Sequence, residues 1–124
     1  MDRGNADVVL AIADAVNRRD LDALMPLLDE GIEHRDARRS IAHQGRVGIR
    51  RHFDELWKES PEASFSVDEI VEGGEWVVVR QRWRGLADGE LTTWVAREFH
   101  DGRVKRIEVH GSRADALEAA GLSG

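Results

Sequence analysis

The apolar positions of the chain keep two different periods. Up to about residue 59 they recur every three or four positions, as on a helix; from about 64 to 110 they alternate, as on a strand. Val8, Ile12, Ala15 and Val16 fall on one helical stripe, with Asn5 placed to cap its start. Asp20 caps a second helix carrying Leu21, Leu24, Leu27 and Leu28; Pro26 kinks it or marks its first turn, and Gly31 ends it. A short strand over 32–36 and an irregular arginine-rich loop follow. A third helix runs from about Arg46 to Glu59, with Ile49, Phe53, Leu56 and Trp57 as its apolar face. Strands are predicted near 64–72, 75–85, 91–100 and 103–110, separated by EGGE, ADGE and HDGR, whose Gly-Gly and Asp-Gly pairs signal hairpins. The end, SRADALEAAGL, reads as a helix with a Ser112–Asp115 capping box and a Gly121–Leu122 stop. Helices grouped ahead of a four-strand meander indicate an α+β fold with helices on one sheet face.

Alternation also sorts the faces. In EWVVVRQRWRG, Val77, Val79, Gln81 and Trp83 share the inner face, and Val78, Arg80, Arg82 and Arg84 the outer. Gln81 is either a core amide bonded to backbone or a pocket group. In LTTWVAREFH, Thr93, Val95, Arg97 and Phe99 make one set, and Trp94, Ala96, Glu98 and His100 the other. A three-residue loop would set Gln81 beside Arg97 and Arg80 beside Glu98; a two-residue loop would set Trp83 beside Trp94. The opposite charges favour the first, which turns Arg97 inward and asks for a partner, Asp36 being the obvious one. In the last strand Ile107 and Val109 face in.

Composition narrows the class. With 41% hydrophobic and 34% charged residues, a chain of 124 suits one globular domain spanning 1–124. The net charge of −6 is spread along the chain, which argues for solubility and against a nucleic-acid partner. No apolar run is long enough to span a bilayer and no leader pattern is present, so no membrane partner and a cytoplasmic location are expected. The absence of cysteine excludes disulfides and thiol catalysis.

The chemistry concentrates in IEHRDA. As a strand it points Ile32, His34 and Asp36 to one face and Glu33 and Arg35 to the other. A carboxylate facing an apolar cavity has its pKa raised by desolvation and serves as a general base near neutral pH. The alternative for Asp36 is an ion pair with Arg97 or a bond to Gln81. His34 either titrates with Asp36 or is bonded to backbone. Phe53, Trp57, Trp83 and Phe99 line an apolar pocket or simply fill the core. His43, His52, His100 and His110 show no ligand spacing, so no metal is expected; no cofactor, phosphate loop or nucleophile elbow is indicated.

The stretches AVNRRDLDALMPLLDEGIEHRDA, HQGRVGIRRHFDELW, HDGRVKRIEVH and ALEAAGL resemble the nuclear transport factor 2-like superfamily, and within it the SnoaL-like branch. The resemblance covers nearly the whole chain and implies a cone formed by a curved meander against N-terminal helices. Its members include steroid isomerases, polyketide cyclases, epoxide hydrolases, dehydratases and binding proteins without catalysis, so it implies a fold more than an activity. Asp36 matches the catalytic base of the ketosteroid isomerase branch, and His34 an inward position before it. The oxyanion donors of that branch have no counterpart: Ile12 stands at the tyrosine position and Val95 at the acid position. Arg97 lies in the region of the epoxide hydrolase arginine, but Val109 replaces the acid expected on the last strand.

The leading reading is a SnoaL-like protein that binds an apolar small molecule and acts as a cofactor-free acid–base enzyme: an isomerase, cyclase, dehydratase or hydrolase. Asp36 would be the base, His34 or Arg97 the polarising group and Gln81 an orienting donor. Ile12, Val16, Val95 and Val109 would join the four aromatics around the ligand. The alternative is a non-catalytic ligand-binding or assembly domain with a structural Asp36–Arg97 pair. The resemblance also implies a homodimer through the outer sheet face, with Trp94 and Val78 at its centre and Arg80, Arg82, Arg84, Ala96, Glu98 and His110 around them.

Overall fold

Helix α1 (Asn5–Asn17) opens the computed structural model, which describes residues 4–122. Gly4, not Asn5, holds the N-cap position, and no side chain caps the helix there. At the other end Arg19 adopts φ 62°, and its amide and that of Asp20 donate to the carbonyls of Val16 and Ala15. This Schellman stop is built on arginine where glycine is usual. Asp20 then caps α2 (Leu21–Leu24), its carboxylate accepting from the Ala23 amide at 3.0 Å. The second helix is shorter than expected. Pro26 has no amide to continue the ladder, so the chain tightens into a 3-10 turn, Met25–Leu27, and leaves the helix there.

Strand β1 (Leu28–Asp36) therefore begins before Gly31, which lies inside it rather than at a helix end. The arginine-rich loop expected after it is a turn followed by a short strand, β2 (Ile41–Gln44), paired antiparallel with β1. Helix α3 (Gly45–Glu59) follows, anchored by Arg46, whose Nε and Nη2 donate to the Leu28 carbonyl at 3.1 and 2.6 Å. The meander is β3 (Ser64–Gly73), β4 (Trp76–Leu86), β5 (Gly89–His100) and β6 (Arg103–His110), and α4 (Arg113–Ala119) closes the chain. Asp101 and Gly102, both at positive φ, make the tight turn between β5 and β6.

The six strands form one sheet in the order β2-β1-β6-β5-β4-β3, with β1 parallel to β6 and every other pair antiparallel. Neither expected register of the β4–β5 hairpin is formed. Gln81 pairs with Thr93, Arg80 with Trp94 and Val77 with Arg97. Relative to the favoured register the pairing slides by four residues, because Arg84 and Gly85 bulge and the reversal falls at Ala87–Asp88. An even slide leaves every side chain on its expected face, so Arg97 still points inward. A second bulge, opposite the Glu98–Phe99 step of β5, lets Val104 face in alongside Ile107 and Val109.

The inner face packs against the helices through Val9, Val16, Leu24, Leu28, Ile32 and Ile49, each 2% exposed or less. The outer face is not free. Helix α4 lies on it, burying Val78 and Ala96 against Ala116 and Ala120, with Trp94 half-covered. Its ends are secured as expected: Ser112 Oγ accepts from the Asp115 amide, and Gly121 at φ 71° lets its own amide and that of Leu122 reach Glu118 and Leu117. The apolar centre expected to bury a second copy is thus filled by the chain's own helix.

Helix α1 is tied to the far edge of the sheet by one side chain. Asn17 Nδ2 donates to the Phe65 carbonyl at 2.8 Å, and Oδ1 accepts from the Phe65 amide at 2.9 Å. Asn17→Ala removes both bonds and is expected to lower stability by about 1–2 kcal/mol, with Asn17→Asp, which keeps only the acceptor half, in between. Urea denaturation reads this directly; an unchanged midpoint for Asn17→Ala would show that the contact contributes nothing.

Candidate functional site

Between the inner sheet face and helices α1 and α3 lies a cavity of about 190 Å³, open to solvent on one side. The strand registers set its wall in rows. His34, Ile107, Arg97 and Val77 pair successively across β1, β6, β5 and β4. One row further along stand Asp36, Val109, Val95 and Val79, and beyond them Thr93 faces Gln81. Rows on one face are about 7 Å apart along a strand, so the Arg97 and Thr93–Gln81 stations are separated by about 13 Å of mainly apolar wall. Ile12 and Val16 of α1 and Phe53 of α3 close the opposite side. Trp83, Leu86 and the 37% exposed Leu91 stand on the meander side of the same cavity.

Most residues singled out from the sequence meet here: His34, Asp36, Gln81, Arg97, Ile12, Val16, Phe53, Trp83, Val95 and Val109 all line the cavity. Trp57 and Phe99 do not. Trp57 stacks on Phe53 with ring centroids 5.4 Å apart and lies under the Arg19 guanidinium at 4.7 Å, so it braces α3 against the end of α1. Phe99 lies past the bulge beside Val104, in the core.

The pairing expected for Asp36 is not formed. Its carboxylate is held by Arg38, two residues on in the turn: Nη2 donates at 2.7 Å, Nε at 3.0 Å, and the Arg38 amide adds a third bond at 3.0 Å. A local guanidinium that also supplies its backbone amide outcompetes one two strands away. Burial pushes the Asp36 carboxyl up, as expected from sequence, but the hydrogen bonds and charge of Arg38 outweigh it, and the net shift is down. Asp36 is an ionised, weakly basic carboxylate rather than one poised near neutrality.

Arg97 is left without a counterion. It is 4% exposed, its Nε and Nη1 have no hydrogen-bond partner, and among the described residues no carboxylate closes on it. Burial lowers its pKa to about 10, so it stays charged at neutral pH. Two further polar atoms on this wall are also buried and unpartnered, His34 Nδ1 and Thr93 Oγ1.

His52 and His43 escaped the sequence reading. His52 was legible in principle, three residues after Ile49 at the edge of the buried stripe of α3. His43 depends on β2, a four-residue strand too short to show a period. Together with His34 they form a cluster with ring centroids 4.8 to 5.6 Å apart. Among the described residues no three donors are disposed to hold a metal ion. Desolvation, then the charges of His52 and His43, bring His34 down to about 3, against a smaller upward pull from Asp36; Arg97 adds to the depression. Desolvation and His43, opposed by Asp36 and aided by Arg39, bring His52 to about 4. Both are neutral imidazoles at pH 7, each with one donor and one acceptor.

A mixed sheet curved around an apolar cavity, with a histidine and an aspartate projecting from its first strand, has the fold of nuclear transport factor 2-like proteins. The chain belongs to the SnoaL-like domain family, whose model matches residues 9–110. No curated protein matches its sequence. Among solved structures it is similar to a candidate polyketide cyclase from Sinorhizobium meliloti, at 24% identity and a TM-score of 0.76 over 87% of this chain and 100% of that one. It is similar to a candidate ketosteroid isomerase from Kribbella flavida at 22% identity and 0.75, over 89% and 78% of the two chains. It is also similar to TerC, co-crystallised with polyporic acid, at 17% identity and 0.77, over 94% and 98%. No helix among the described residues is long and apolar enough to cross a membrane.

The two depressed histidines fix the sign of the acid response. The unfolded chain binds protons on them from about pH 6.5 downward, and the folded chain does not until about pH 4 and 3. Stability is therefore unaffected above about pH 6.5 and lost as the pH falls through that window, by at most about 1.4 kcal/mol per histidine per unit. Asp36, also shifted down, adds to the loss at lower pH. Histidine Cε1–H NMR should show two imidazoles that stay neutral at pH 5. If all five titrate near 6.5, the cluster is not buried as described.

Proposed function

We propose that this chain binds an apolar small molecule in the cavity and transforms it by cofactor-free proton transfer. The observation that carries the reading is the convergence of His34 and Asp36 on one apolar cavity. Asp36, charged at all physiological pH, accepts the proton. His34, neutral and with a buried unpartnered Nδ1, is the polarising hydrogen-bond donor to the carbonyl oxygen on which charge develops, and Gln81 orients the far end. Because Arg38 weakens Asp36 as a base, the proton it takes is an acidified one, such as a C–H flanked by carbonyls. An enolate formed this way leads to isomerisation or ring closure. The names of the Sinorhizobium and Kribbella neighbours support this reading, and TerC, co-crystallised with polyporic acid, supports a pocket for a small organic molecule. Ile12 and Val95, both on the cavity wall, leave a simple ketosteroid dienolate without the donors of the isomerase branch.

The second reading is a binding domain without catalysis, favoured by the grip of Arg38 on both carboxylate oxygens. Deuterium incorporation into a panel of apolar 1,3-diketones, followed by mass spectrometry, separates the two. The parent protein should accelerate exchange, and Asp36→Asn should lose at least about a hundredfold of that acceleration with its fold intact. Arg38→Met should raise the pKa of Asp36, so the acid limb of the rate profile should move to higher pH. Equal exchange by parent and Asp36→Asn makes Asp36 structural and leaves the binding reading.

A dimer would rest on a narrower surface than the apolar outer face. With α4 over Val78 and Trp94, a second copy would set the exposed Arg80 and Arg84 of one subunit against Glu98 or Glu108 of the other, and such a contact should weaken as salt rises. Light scattering at micromolar protein and low salt should give twice 13.9 kDa, falling toward the monomer as salt rises; a monomer mass under every condition removes the dimer.

A further inference from the structure

The cavity carries a charge opposite to that of the whole chain. The protein is acidic, at −6. Yet Arg38, Arg39 and Arg97 line the cavity and Asp36 is the acid that answers them, while His34 and His52 are neutral. Arg38 is spent on Asp36, and Arg39 stands exposed by the opening. Arg97 alone is both buried and free, and its Nε and Nη1 donate to nothing.

A buried guanidinium without a counterion destabilises the fold, and a core built for stability alone would carry an apolar residue there. The neighbours of Arg97 in its row, Val77 and Ile107, are apolar, and His34 beyond Ile107 is a neutral donor. No side chain of the wall accepts from these donors, so they are left to whatever occupies the cavity. A neutral carbonyl would leave the guanidinium uncompensated in the bound state; an anion would compensate it and be held by a rigid planar fork.

We infer that Arg97 is the receptor for a permanent negative charge on the ligand. The cavity takes an apolar organic acid whose carboxylate, or an equally delocalised oxyanion, sits on Arg97. The apolar body lies along Val95 and Val109. A hydroxyl or carbonyl about 13 Å from the Arg97 station meets Gln81 and the unpartnered Thr93 hydroxyl. Arg39 at the opening attracts the anion on its way in. The inference rests on the reading of the cavity as a ligand site and assigns no proton transfer to Arg97.

The test uses a matched pair of probes, 4′-hydroxybiphenyl-4-carboxylate and its primary amide, titrated against the parent protein at pH 7 by calorimetry and by intrinsic tryptophan fluorescence, to which Trp83 on the cavity wall contributes. The acid should bind at least about tenfold tighter than the amide. Arg97→Met should bind the two alike and should melt no lower than the parent, because it sheds an unpaired buried charge. The carboxylate should raise the melting temperature of the parent and not that of Arg97→Met. Equal binding of acid and amide by the parent overturns the anion receptor but leaves the cavity as a ligand site. Binding of neither probe overturns both readings. An Arg97→Met variant that melts well below the parent also overturns the inference, because Arg97 would then be held by the fold rather than waiting for a ligand.

Discussion

The parallel pairing of β1 with β6 is the constraint on which the cavity depends. It joins residues 28–36 to residues 104–109, and the whole of α3 and the β3–β5 meander lies between them in the chain. Parallel strands cannot be joined by a tight turn, so this pairing needs a long crossover, and its closure entropy is met only once the intervening elements have packed. In return it sets His34 in the row of Arg97 and Asp36 in the row of Val95, on one wall. Without it the polar groups of β1 and those of β5 would belong to separate surfaces. The Arg46 bonds to the Leu28 carbonyl hold the start of α3 over the same strand, so the roof of the cavity is aligned to its wall.

Of the nine buried side-chain atoms without partners among the described residues, four, His34 Nδ1, Thr93 Oγ1 and two nitrogens of Arg97, belong to residues lining one cavity, and the other five are spread singly over Arg19, Trp57, Arg82, Glu98 and His110. Buried polar groups in folded proteins are ordinarily paired, and a concentration of exceptions marks a place where something other than stability has been selected. The surrounding core shows no such strain. Val9, Val16, Leu28 and Ile32 are sealed and apolar, and the second cluster beneath α4 is sealed as well.

Much of the architecture was legible because side-chain alternation is insensitive to an even slide. The β4–β5 pairing lies four residues from the register favoured by charge matching, yet Val77, Val79, Gln81, Val95 and Arg97 all face inward as their alternation required. The caps of α2 and α4 and the Asp-Gly turn were legible for a different reason: each is a local rule carried by one or two residues. Three features were not. The bulge in β6 that turns Val104 inward shows only as one broken step in the alternation of a largely polar strand. The strand β2 is too short to declare a period. The partner of Asp36 was sought across the sheet, by complementarity of inner faces, whereas a turn of the local backbone delivered Arg38 first. The histidine cluster followed β2 out of sight.

The tie between Asn17 and Phe65 has a consequence for the behaviour of many molecules together. An open six-stranded sheet has two margins, and each offers unpaired amides and carbonyls on which the strand of another molecule could add, and another on that. Here β2 presents four residues, too few to template much. The other margin, β3, is ten residues long, but Asp68 bulges out of its pairing and the Asn17 amide imitates a neighbouring strand at Phe65. A side chain at the end of a helix thus acts as a stopper against polymerisation, and it does so at the position on the outermost strand where a buried aromatic would otherwise make an incoming segment adhere.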